Sequence, residues 1–265
     1  MWDRFFSSVK PLIDKFKQEA ASSEKPSSLL SSFLAMSANR KLVALLCREE
    51  SLIPDIYSIV SVNSASEAIV YCVLKFVDNL LSLDSELNYE DSSVHRVLLS
   101  NIEVLMDSIY CLFGGDNAAK RKLIKSPGET VLRIFNFLPK YIKEAELAKR
   151  FVDILLLFLE KKSQSSDVCF EVLPLIQNII PILGNGSTAK LLSAVSPLYI
   201  LAELDMRLRI RDLLNALVNY DASVLSVVKL LCRLNTTTTL GWLDHDVILD
   251  AYRFINVDFF RNCQV

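Results

Sequence analysis

From Phe5 to Tyr252, apolar side chains recur at three- and four-residue intervals in one segment after another, and no segment alternates as a strand would. Phe5, Phe6, Val9, Leu12, Ile13 and Phe16 make one such stripe. Ile69, Val70, Val73, Leu74, Val77, Leu80 and Leu81 make a broader one, and Val97, Leu98, Ile102, Leu105, Met106 and Ile109 a third. A chain written this way folds as helices. The punctuation agrees: 6 Gly and 8 Pro in 265 residues are too few for the turns of a β-sandwich or a glycine-rich nucleotide fold. With 51% hydrophobic residues and a mean hydropathy of +0.32, the helices carry more apolar surface than a single buried stripe can absorb.

The periodicity predicts helices over 3–18, 29–35 and 39–49, another after Pro54, and a long one over about 66–83. Residues 84–91 read as a polar turn, with Asp84, Glu86, Glu90 and Asp91 as an acidic loop surface, as Glu49-Glu50 is. Ser92 or Ser93 caps one helix running to Phe113, where Gly114-Gly115 stops it. Further helices are expected at about 116–125, 128–142, 144–161, 166–183, 188–203, 205–219, 222–234 and 244–256. Lys161–Asp167, Gly184-Asn185-Gly186 and Asn235–Gly241 separate the later ones. The expected organisation is an N-terminal helix over 1–20, a linker over 21–28 and a helical repeat array over 29–265. Helix pairs recur roughly every 35–45 residues, the size of a HEAT or armadillo unit. The fold class expected is therefore all-α, an α-solenoid of antiparallel helix pairs in which each pair covers its neighbour's apolar face.

Chemistry is hard to find. The net charge is −2 and the pI about 5.8, without the overall basic character of a duplex-DNA binder. The six cysteines, Cys47, Cys72, Cys111, Cys169, Cys232 and Cys263, have no metal-ligand or redox spacing and read as reduced core thiols. The two histidines, His95 and His245, stand at helix starts, and Asp244-His245-Asp246 reads as an acidic helix cap because adjacent helical residues diverge. No nucleophile elbow, zinc-protease motif, phosphate loop or dinucleotide fingerprint is present. No catalytic, metal or cofactor-binding residue is expected, nor a small-molecule substrate. Neither the N-terminus nor the greasiest runs, 151–159 and 168–183, reads as a signal peptide or membrane span. Two basic clusters are the candidate contacts for RNA or an acidic partner: Lys120, Arg121, Lys122 and Lys125, and Arg207 with Arg209.

In 192–217, Pro197, Asp205 and Arg211 fall at the offsets of the HEAT-repeat triplet: a proline bending the first helix, an aspartate capping the second, and an arginine reaching towards the next unit. The C-terminal third adds Leu204-Asp205-Met206-Arg207-Leu208-Arg209-Ile210-Arg211, Leu230-Leu231-Cys232-Arg233-Leu234-Asn235 and Gly241-Trp242-Leu243-Asp244-His245-Asp246-Val247-Ile248-Leu249-Asp250-Ala251-Tyr252. These stretches resemble the very large HEAT-repeat scaffold of the small-subunit processome, the "down-regulated in metastasis" family, in its plant form. The resemblance is clearest over about 190–262.

That resemblance implies a nucleolar, non-catalytic scaffold for pre-18S ribosomal RNA processing. The implied partners are proteins of a large ribonucleoprotein assembly, with pre-ribosomal or small nucleolar RNA as a second class. It also implies that the chain is an N-terminal or internal piece of a much longer protein. The apolar run Phe254, Ile255, Val257, Phe259 and Phe260 fits that expectation, since an array end needs a polar cap. The competing expectation is a generic HEAT or armadillo adaptor of transport or trafficking, binding peptides and no RNA.

Overall fold

A computed structural model of the chain describes residues 2–21, 27–62, 67–113, 128–162, 166–184, 187–201 and 204–234. The expected helices at 116–125 and 244–256, most of the 21–28 linker, Gly114-Gly115, the 235–241 stretch and the apolar run after Tyr252 lie outside the described residues. Among the described residues there is helix and no strand. The chain divides into two compact units, Met1–Ile142 and Lys143–Val265.

The first unit holds α1 (Trp2–Ala21), α2 (Ser27–Ser37), α3 (Arg40–Leu46), α4 (Leu52–Val62), α5 (Glu67–Leu87), α6 (Ser93–Ser100), α7 (Ile102–Phe113) and α8 (Gly128–Phe137), then a 3-10 turn, Leu138–Tyr141. α1 lies on α4, α2 on α5, α3 on α6 and α4 on α7, each three places ahead among the described helices, and α5 also lies on α8, besides contacts between neighbours in sequence. Because α5 touches α2, α4, α6 and α8, Ile69, Val70, Val73, Leu74, Phe76, Val77, Leu80, Leu81 and Leu83 are all buried. Each such side chain contributes about 1.5–3 kcal/mol of transfer free energy. Phe16 of α1 meets Phe33 of α2 edge-to-face, with centroids 5.1 Å apart and planes at 87°.

Two boundaries differ from the sequence expectation. The helix expected to run unbroken to Phe113 is two helices, α6 and α7. Asn101 leaves helical geometry (φ −114, ψ 14), and its side-chain amide donates to the Val97 carbonyl at 2.9 Å. At the end of α5 the reverse holds: the helix continues through the supposed polar turn to Leu87, and Asn88 stops it in a left-handed conformation (φ 44). Ser92 does cap α6, accepting from the His95 amide at 3.0 Å.

The second unit holds α9 (Ala145–Lys162), α10 (Ser166–Ile179), a 3-10 turn (Ile180–Ile182), α11 (Thr188–Leu201), α12 (Leu204–Tyr220), a 3-10 turn (Ala222–Val224) and α13 (Leu225–Leu234). Here α9 lies on α10, α10 on α12, α11 on α12, and α12 on α13. α9 buries Leu147, Ala148, Phe151, Val152, Ile154, Leu155 and Leu159. Gly184, with φ +68, supplies the turn after the 3-10 segment. Asp221 fastens the unit at a second point: its carboxylate accepts from the Ser223 amide (3.0 Å), the Ser223 hydroxyl (2.6 Å) and the Thr188 hydroxyl (2.9 Å). One side chain thus starts the 3-10 turn and holds the first residue of α11.

Candidate functional site

The predicted contact residues fall in different places. Lys120, Arg121, Lys122 and Lys125 lie outside the described residues, as does His245. Arg207 and Arg209 stand in the first half of α12, Arg207 half-buried and Arg209 exposed. The Arg209 guanidinium sits 5.8 Å from the ring centroid of Phe170 on α10, so the aromatic face holds this cation at the surface.

The residues of the HEAT-type triplet lie on α11 and α12. Pro197 is within α11, and its side chain is outside what is described. Asp205 is the second residue of α12, not the residue before it, and is exposed. There its charge complements the helix dipole from inside the first turn. Arg211 lies 3.9 Å from Asp212 of its own helix, both about half exposed.

Sequence reasoning missed a charged cluster in the first unit. Asp84, read as loop surface, is fully buried on the last turns of α5. Its Oδ2 accepts from the Tyr141 hydroxyl at 2.6 Å and the Lys140 ammonium at 2.8 Å, and lies 3.1 Å from His95 Nδ1. An ionised carboxylate only accepts, so Nδ1 carries the hydrogen in this arrangement. Burial works to raise the Asp84 pKa, but hydrogen bonds from Lys140, Tyr141 and His95, with the Lys140 charge, outweigh it and hold the carboxyl below its ordinary range. The Tyr141 phenol moves the other way: burial, then its bond to Asp84 and that carboxylate's charge, push it up. By gathering donors from α6 and from the 3-10 turn on one oxygen, Asp84 fastens α5, α6 and the turn after α8 together. The signal was present in sequence: Asp84 lies three and four residues beyond Leu81 and Leu80, on the apolar stripe.

A second buried carboxylate lies two turns earlier. Asp78 is 1% exposed, and its oxygens meet Lys75 Nζ at 2.7 Å and the Arg133 guanidinium of α8 at 3.3 Å. Arg133 also reaches the Ser82 hydroxyl at 3.4 Å. Elsewhere Cys47 is buried, and burial pushes its thiol up to about 12. Cys72 and Cys111 are half-buried; Cys169, Cys232 and Cys263 lie outside the described side chains. No helix among the described residues is long and apolar enough to cross a membrane.

Against known proteins, a family model described as U3 small nucleolar RNA-associated protein 20, N-terminal, matches residues 1–265. No curated protein and no solved structure matches the chain.

Proposed function

The chain belongs to the family of the N-terminal region of U3 small nucleolar RNA-associated protein 20, and on that premise we propose that it is a non-catalytic helical-repeat scaffold acting in pre-18S ribosomal RNA processing. Membership implies a role in the small-subunit processome and ribosome biogenesis. The observation that carries the reading is the family match over all 265 residues. The packing supports the repeat part of it. In the first unit each helix from α1 to α4 lies on the helix three places ahead among the described residues, the spacing of a three-helix armadillo-type unit. In the second, α10 lies on α12, the spacing of a two-helix HEAT-type unit. Helices related this way present long continuous flanks to partners while their apolar faces stay covered.

In this reading the protein works in the nucleolus, among the proteins of a large ribonucleoprotein assembly. Arg207 and Arg209, with Lys120, Arg121, Lys122 and Lys125, contact pre-ribosomal or small nucleolar RNA or acidic partner surfaces. The organisation of an N-terminal helix, a short linker and a repeat array over 29–265 belongs to the same proposal. The test is ultraviolet crosslinking in cells with peptide mapping, alongside localisation of the tagged protein. The expected result is a nucleolar signal and crosslinks to ribosomal precursor or small nucleolar RNA. A protein found only in the cytosol, crosslinked to no RNA and recovered with transport or vesicle-coat proteins, would replace the scaffold with the peptide-binding adaptor.

A further inference from the structure

We draw no further inference here: the strongest candidate, the acidic surface patch of Glu86, Glu90 and Asp91 around the exposed Tyr89 at and just past the end of α5, is a cluster of carboxylates for which nothing in the structure shows what covers it.

Discussion

Replacing Asp84 with alanine should loosen the end of the first unit far more than removing the lysine that pairs with it. Three donors meet at Asp84 Oδ2, and they differ in what they can do once it is gone. Tyr141 is 2% exposed and the His95 side chain 8%, so neither can turn to water. Each then loses a bond to a charged acceptor, worth about 1.5–3 kcal/mol. Lys140 is more than a third exposed and re-solvates, so its share is close to zero. Against this, Asp84 Oδ1 is buried without a hydrogen-bond partner, and deleting it recovers about 1–3 kcal/mol of desolvation. The net expectation is a loss of about 2–4 kcal/mol for Asp84→Ala, and under about 1 kcal/mol for Lys140→Met. Hydrogen exchange read by mass spectrometry resolves the two locally. Amides of α5, α6 and α8 should exchange about 30- to 1,000-fold faster in Asp84→Ala, and less than about 5-fold faster in Lys140→Met. Equal effects from the two variants would refute the assignment of the cluster's stability to its buried donors.

The same carboxylate gives a pH dependence of defined sign. The folded-state pKa of Asp84 lies below its ordinary 3.8, so its stabilisation is present above that value and fades as pH falls through 3.8 towards the lower folded-state value. Urea melts between pH 5 and pH 3 should show this slope, and Asp84→Asn should flatten it; an identical slope in the variant would contradict the account. Cys47, its thiol pushed up to about 12, should resist alkylation at pH 8 under conditions that label half-buried Cys72, as mapped by mass spectrometry. Asp221→Ala should cost about 1–2 kcal/mol by releasing both the 3-10 turn and Thr188, with faster exchange at the start of α11; an effect confined to 222–224 would show that the Thr188 bond carries nothing. Phe33→Ala, which empties a fully buried site against Phe16, should cost about 3–5 kcal/mol in urea melts, and a loss below about 1 kcal/mol would mean that α1 does not hold α2 in solution.

The helices were legible because the three- and four-residue period is local: α5, α9, α10 and α12 end within a few residues of where their apolar stripes predict. The breaks depended on chemistry that period does not carry. Asn101 ends α6 by turning its amide back on Val97, and Asn88 ends α5 in a left-handed conformation, so a continuous stripe was read as one helix and a polar stretch as a loop. The charged clusters were legible only in part. Asp84 lay on the apolar stripe of α5, but its partners Lys140 and Tyr141 are 56 and 57 residues away, a distance no local pattern encodes. The basic row of α12 was visible in sequence; that Arg209 rests on Phe170 was not, since the pairing of α10 with α12 is a tertiary fact.

Sedimentation of cell extract through a density gradient, with rising salt, tests the scaffold claim most directly. A structural part of a small-subunit assembly should travel with particles containing U3 small nucleolar RNA and remain with them at moderate salt, after loosely held electrostatic binders have left. Recovery at the top of the gradient at low salt, apart from any precursor RNA, would contradict it.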